Sequence, residues 1–288
     1  MNPITRIVFV GIFFCKLTLG SQLPRIESEH KLTVPVHKTE AVWKYLSERF
    51  TSIENNPLVK IDKGFSARVS EEYFVDTYYD SPGLQMLDRQ SGIRFRRRFI
   101  PDNPSDTKHG RALVQIKLNR KGDKVENRTE YKFDTVENSI AAFKAGYGIG
   151  MLIEGEKNQM EFFNRLNALE IIPSQLKAVI TLEQKRRRVY ISKDGTSFAT
   201  ITLDEVSAKR FFKKVNLTEI ELELNEIAYT DSDINQRNRM EHINKILKTD
   251  ILDAFPEIKV DQTPKYNKVM ALFEDSIPLF NFLIGYFG

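Results

Sequence analysis

Polar and apolar positions alternate with period two along much of this chain, the signature of strands that present one face to a core. Ile26 to Val34 opens the series, and Tyr73 to Tyr79, Gly92 to Phe99, Ala112 to Leu118 and Arg128 to Phe133 continue it. Ala178 to Ser192, Ser197 to Asp204 and Thr218 to Ala228 complete it. Between them, Thr39 to Phe50 carries Val42, Trp43, Leu46 and Phe50 on one helical stripe. Asn138 to Gly146, Gln159 to Leu169 and a segment holding Ile234, Met240, Ile243 and Leu247 read as further helices, the last capped by Asp231 or Ser232. Asp80-Ser-Pro-Gly83 is a turn cluster, and the polar stretch Pro101 to Gly110 is a loop. Strands with helices inserted among them predict an α+β fold built on a large antiparallel sheet or barrel.

The polar faces are ordered by charge. Glu27, Glu29 and Lys31 share a face of the first strand, and Arg94, Arg96 and Arg98 share another. Lys117 closes its strand; Arg128, Glu130 and Lys132 align, as do Lys185 and Arg187. Asp204 ends one late strand, and Glu219, Glu221 and Glu223 alternate along the next. Carboxylates repeated at i and i+2 lie roughly 6.5–7 Å apart and repel unless cations stand among them. Oxygen ligands of this kind suit Mg²⁺ or Mn²⁺. Arginines at the same spacing want an anion, and phosphate matches their forked donors. Both sets facing one another would hold a metal-bound polyphosphate.

Composition narrows the choice. The chain has 288 residues, 43 Lys+Arg against 39 Asp+Glu, and one cysteine. That balance is unlike a protein that coats nucleic acid, so no specific nucleic-acid partner is expected. Lone Cys15 excludes a disulfide framework and a CxxC redox site. No Walker A, HExxH, GxSxG or GxGxxG motif occurs. Residues 1–20, with Arg6, the apolar run Ile7 to Cys15 and Thr18-Leu19-Gly20, read as a secretory signal peptide, which predicts a secreted or extracytoplasmic protein. Cleavage there would remove Arg6 and Lys16 and leave a net charge of +2. Residues 21–288 then form a single domain, ending in an apolar tail over 277–288 that is too short for a transmembrane span of about 20 residues. Oligomeric state is not legible.

An ordered set of segments resembles one known family. Glu27-Ser-Glu29-His-Lys31 resembles the ExExK signature of the CYTH superfamily, the triphosphate tunnel metalloenzymes. Thr77-Tyr-Tyr-Asp80-Ser-Pro, Gly92-Ile-Arg94-Phe-Arg96, Gln115-Ile-Lys117, Arg128-Thr-Glu130, Lys185-Arg-Arg187, Thr202-Leu-Asp204 and Glu219-Ile-Glu221-Leu-Glu223 follow in the family's order, and Pro264-Lys265-Tyr266 resembles its late lysine segment. The resemblance implies an eight-stranded antiparallel β-barrel with helices outside and a hydrophilic lumen open at both ends. It implies Glu27, Glu29, Asp204, Glu221 and Glu223 as metal ligands for Mg²⁺ or Mn²⁺. It implies Lys31, Arg94, Arg96, Lys117, Arg128, Lys185 and Arg187 as the clamp on a triphosphate or polyphosphate substrate, and Glu130, Glu223 and Lys31 as catalytic groups. The activity implied is metal-dependent hydrolysis of inorganic or nucleoside triphosphate. Polyphosphate polymerisation, as in the related vacuolar transporter chaperone branch, and non-catalytic polyphosphate binding are the alternatives.

Overall fold

A computed structural model describes residues 25–99, 111–119 and 127–276 together with Leu283. The signal-like segment, the loop Pro101 to Gly110 and all of the apolar tail except Leu283 lie outside the described residues. In chain order the elements are β1 (Arg25–Val34), α1 (Thr39–Thr51), α2 (Pro57–Ile61), β2 (Phe65–Asp80), α3 (Gln85–Asp88), β3 (Gly92–Phe99), β4 (Ala112–Leu118) and β5 (Asn127–Asp134). Then come α4 (Ser139–Lys144), α5 (Glu156–Ala168), β6 (Lys177–Lys193), β7 (Thr196–Arg210), β8 (Lys213–Leu224), α6 (Glu226–Asp231), α7 (Ile234–Ala254), β9 (Lys259–Val260) and α8 (Lys265–Glu274).

The strands follow the order β5-β4-β3-β2-β6-β7-β8-β1, and β1 pairs back to β5, so the antiparallel sheet closes on itself as an eight-stranded barrel. Closure removes the free edges that an open sheet would expose. The short β9 adds to β1 beside this seam. Alternation along each strand then sends one set of side chains inward and the other outward.

Outward apolar residues are covered by helices. Ile201, Leu203, Ile220 and Leu222 form one core with Val42, Leu46 and Phe50 of α1 and Met240, Ile243, Leu247 and Ile251 of α7. Ile93, Phe95, Val114, Ile116 and Phe133 form a second with Ile140 of α4 and Phe162 and Leu166 of α5. Each such side chain, fully buried, contributes roughly 1.5–3 kcal/mol. Local signals set the helix starts. Asn56 and Asp233 accept from the backbone N–H groups of Leu58 and Gln236 and so cap α2 and α7. Asp233 is therefore the cap of α7, not Asp231 or Ser232. Asn225 accepts from Ala228 N, which ends β8 at Leu224 and starts α6 where the strand pattern had continued to Ala228.

A third apolar cluster alters the expected architecture. Tyr266, Val269, Met270 and Phe273 of α8 pack against Ile180, Leu182, Val206, Ala208, Val215 and Leu217. On β7 and β8 these positions share parity with Asp204 and Glu219, so they face the lumen. Helix α8 thus enters one end of the barrel along the wall of β2, β6, β7 and β8, and a small pocket separates it from Gly92, Lys117 and Arg128 on the facing wall. The Tyr266 ring stacks on Tyr78 at 4.9 Å, and its hydroxyl donates to Asp80 at 3.1 Å. Asp80 also accepts the backbone N–H groups of Ser81, Met86 and Leu87, so the turn cluster after β2 anchors the plug.

Candidate active site

The lumen opens at the end opposite α8 into a cavity of about 330 Å³. This lies at the small end of ligand-pocket sizes, about 300–1,000 Å³. Arg94, Arg96 and Arg98 of β3 and Arg186 and Arg188 of β6 line one side. Glu27 of β1, Glu130 of β5 and Glu221 and Glu223 of β8 line the other, with Lys117 and Lys132 between the acids. Past Lys117 only about 30 Å³ remains, bounded by Lys31, Arg128, Lys265 and Tyr266, room for roughly one or two waters.

The arginine bank is held apart and held in place. The Phe74 ring lies 4.5 Å from the Arg96 guanidinium, 5.3 Å from those of Arg98 and Arg186 and 5.9 Å from that of Arg188, so one π face serves four like charges. Asp76 accepts from Arg96 Nε at 2.7 Å, from Arg94 at 3.1 Å and from Gln184 at 2.6 Å. Burial pushes the Asp76 carboxyl up, yet Arg96 and Arg94 outweigh burial and hold it well below the usual carboxylate range.

The carboxylates divide into two groups. Deep in the barrel, Asp204, Glu219 and Glu221 place carboxylate oxygens within 4.8 Å of one another. Cations of the chain itself fill this trio. Arg186 Nε donates to Asp204 at 2.6 Å, Lys31 reaches Glu221 at 2.8 Å, Lys265 reaches Glu219 at 3.2 Å and Lys268 reaches Glu219 at 3.1 Å. Lys265 also donates to Asp204. Nearer the mouth stand Glu27, Glu29 and Glu223, with Glu29 directly opposite Glu223 in the β1–β8 ladder. Here cations are fewer: Lys117 reaches Glu27 at 2.5 Å, and Lys31 reaches Glu29 at 2.8 Å. Glu27 Oε2 and Glu29 Oε2 are buried and accept no hydrogen bond among the described residues; Glu219 Oε1 of the trio accepts none either, but Lys265 stands 3.2 Å from it. Burial, then the charges of Glu27 and Glu29, push the Glu223 carboxyl well above its usual range. Buried, uncompensated carboxylate oxygens are costly, and a hard divalent cation would satisfy them. Glu27, Glu29 and Glu223 therefore fit a metal better than Asp204 and Glu221, whose charge is already met.

Glu130 accepts from Gln115 at 2.8 Å and faces Lys132 at 2.7 Å and Lys117 at 3.5 Å. Burial pushes it up, but Lys117 and Lys132 hold it below the usual range. Lys31 is buried, which lowers its basicity, yet Glu221 and Glu29 hold it above the ordinary lysine value, so it is a fixed ammonium. Arg128 faces inward and donates to the Gln262 carbonyl at 2.8 Å.

Two predicted clamp residues point away from the lumen. Arg187 binds Glu40 of α1 at 2.9 Å and Glu205 at 2.8 Å and lies over the Trp43 ring on the outer face. Lys185 pairs with Glu71 at 3.4 Å on the same outer face. Their neighbours Arg186 and Arg188 take the inward places. The reason is local: Lys185-Arg-Arg-Arg188 is basic at four consecutive positions, so charge alone does not reveal parity. Val189 and Ile191, buried against α1, do reveal it, because they put odd positions outside. Sequence reasoning also missed Asp76, Phe74, Gln184 and Lys268. Phe74 has the look of a core residue, and nothing short of the closed barrel turns it inward.

A CYTH domain profile matches residues 39–251. No curated protein matches the sequence. Among solved structures, a candidate adenylate cyclase from Bacillus halodurans is similar at 17% identity and a TM-score of 0.51, over 85% of this chain and 97% of its own. HpAC1 from Hippeastrum, a candidate adenylyl cyclase described as having a dominant triphosphatase activity, is similar at 12% identity and a TM-score of 0.53, over 88% of this chain and 98% of its own. At such identities the likeness is one of fold. With the profile spanning most of the chain and the closed, charge-lined barrel beneath it, the protein belongs to the CYTH domain family.

Proposed function

We propose that this chain hydrolyses a triphosphate, inorganic or nucleoside, to diphosphate and phosphate in the barrel lumen, with Mg²⁺ or Mn²⁺ at Glu27, Glu29 and Glu223. The observation that carries the reading is the opposition of the β3 and β6 arginines to buried, unsatisfied glutamate oxygens across one small cavity. The metal, when bound, supplies charge neutralisation on phosphate oxygens and Lewis acidity toward water. Arg94, Arg96, Arg98, Arg186 and Arg188 bind and orient the phosphates, which is most of what phosphoryl transfer asks of a protein. Lys31, Lys117 and Arg128 stand at the inner end of the channel, where they add positive charge to the terminal phosphate. Glu130, held ionised by Lys117 and Lys132, is placed to accept a hydrogen bond from the attacking water. A water oxygen bonds to the terminal phosphorus, the bridging P–O bond breaks, diphosphate leaves, and the water's proton passes to solvent.

Purified protein incubated with inorganic triphosphate or ATP and either metal should release orthophosphate. Absence of release with every substrate would sink the proposal, as would cyclic AMP or long polyphosphate as the main product from ATP. We also propose that residues 1–20 direct the chain out of the cytoplasm, which N-terminal sequencing of the mature protein tests: a start near Ser21 is expected.

A further inference from the structure

The two hairpins flanking β7 differ in a way the barrel does not require. Between β6 and β7 the turn is Asp194-Gly195, with φ of 50° and 76°, the residues that a tight two-residue hairpin favours. Between β7 and β8 the two-residue loop is Phe211-Phe212, and Phe211 takes φ 52°. Bulky side chains disfavour that left-handed region. Phe212 is 86% exposed and Phe211 50%. The flanking rungs pair Arg210 with Lys213 and Lys209 with Lys214. No acidic residue occurs between Glu205 and Glu219. Arg210 lies 5.4 Å over the Phe211 ring, whereas Phe212 stands in water; like charges facing across a ladder and an aromatic ring left in water each cost folding stability.

Position adds to composition. Strand β7 runs 15 residues from Thr196 to Arg210, about 45 Å at strand rise. Ser197 and Ala199 line the open mouth, so the Phe211-Phe212 tip lies at the opposite end. Helix α8 heads toward the tip, since Lys265 meets Asp204 and Glu221 while Lys268 meets Glu219, one step nearer the turn. The sequence after α8, residues 277–288, carries no charged side chain. Leu283 packs on the cluster that Ala208 and Val215 close beside the tip.

We propose that the β7–β8 hairpin docks the barrel on an anionic lipid bilayer. Phe211 and Phe212 enter the headgroup boundary, Lys209, Arg210, Lys213 and Lys214 meet the negative headgroups, and the lumen mouth faces solution. Aromatic rings ringed by cations suit that boundary, with attraction that depends on anionic lipid and on salt.

The test is flotation of the full chain with phosphatidylcholine vesicles, with and without phosphatidylserine. Binding is expected only with phosphatidylserine and should weaken as salt rises. F211S/F212S, and separately K209E/K214E, should each lower partitioning by about tenfold or more. Both should leave phosphate release unchanged, because neither site touches the lumen, and a cooperative unfolding transition in each shows that the fold is intact. The proposal falls if phosphatidylserine vesicles do not bind, or if neutral vesicles bind equally. It falls if both hairpin variants bind like the parent, which would make the C-terminal run the anchor. It also falls if the tip instead binds heparin but not vesicles, or makes a lipid-free dimer that F211S/F212S dissolves.

Discussion

The deep trio of Asp204, Glu219 and Glu221 and the mouth set of Glu27, Glu29 and the half-buried Glu223 are both acidic clusters on neighbouring strands, yet they are different chemical objects. The trio has the closer oxygens, within 4.8 Å, and is neutralised by Lys31, Arg186, Lys265 and Lys268. The mouth set keeps oxygens without a hydrogen bond and a carboxyl forced above its ordinary range. Proximity of carboxylates alone thus does not show which set is left short of countercharge. What matters is whether other side chains already supply the countercharge, and here α8 delivers it to one cluster and leaves the other short.

Breaking the deep cluster should have the largest consequence for stability. Lys265→Met leaves Asp204 and Glu219 short of a buried partner and should cost about 3–5 kcal/mol, read from denaturant unfolding. At the mouth, Glu29→Gln should lower metal-dependent turnover on the order of 100-fold or more while the melting temperature falls far less than in Lys265→Met. Divalent metal should raise the melting temperature of the parent protein but not of Glu29→Gln. If both variants lost stability equally, the distinction between the clusters would be wrong.

Parity on β6 offers a sharper contrast between adjacent residues. Arg186→Met should reduce turnover by about 10- to 100-fold. Arg187→Met removes the outer-face pairing to the exposed Glu40 and to Glu205 and the contact with the Trp43 ring, so it should leave kcat unchanged and cost about 1–2 kcal/mol of stability. Steady-state kinetics on the two purified variants decide it.

Asp76 extends the comparison to a third buried acid, one matched by arginines. Burial raises its pKa, but Arg96 and Arg94 prevail, so its folded value lies below its unfolded value of about 3.9. A depressed carboxyl contributes stability that is fully present above the unfolded pKa and is lost as pH falls through the folded one. Unfolding free energy should therefore drop below about pH 4, and Asp76→Asn should flatten that part of the profile. The smallest effect is expected at Glu223. Its raised pKa means that ionisation at neutral pH disfavours the folded state. Glu223→Gln should accordingly raise the metal-free melting temperature by a few degrees, about 1 kcal/mol or less.

How much of this was legible beforehand varies with the element. Strands β3 and β4 were read with the ends they have, because alternation runs from Gly92 and from Ala112, broken only at Arg97 and Leu113. The first half of β2, from Phe65 to Glu72, was missed. Its outer positions are exposed, so no alternation marks it. β7 runs on from Asp204 to Arg210 because Val206 and Ala208 pack on α8 instead of facing water. Helix α8 itself was invisible as a plug: Tyr266, Val269, Met270 and Phe273 make an ordinary amphipathic stripe, and nothing local says that it enters a barrel. Of the site, the inward places of Glu27, Glu29, Lys31, Arg94, Arg96, Lys117, Arg128, Glu130, Asp204, Glu221 and Glu223 followed from period two. Lys185 and Arg187 did not.

By itself, then, the sequence determined the sorting. Alternation in β1, β3, β5 and β8 leaves most charged residues one common face, and closure turns that face inward because α1, α4, α5 and α7 cover the apolar one. The tertiary structure decided everything that depends on contacts between distant segments. It chose which of four consecutive bases on β6 points to the lumen, since α1 must cover Val189 and Ile191. It brought α8 into the barrel, since only packing sets that helix against Leu182 and Leu217. It also divided one set of glutamates into a neutralised cluster and a set left short of countercharge, because countercharge is a property of neighbours in space and not of spacing along a strand.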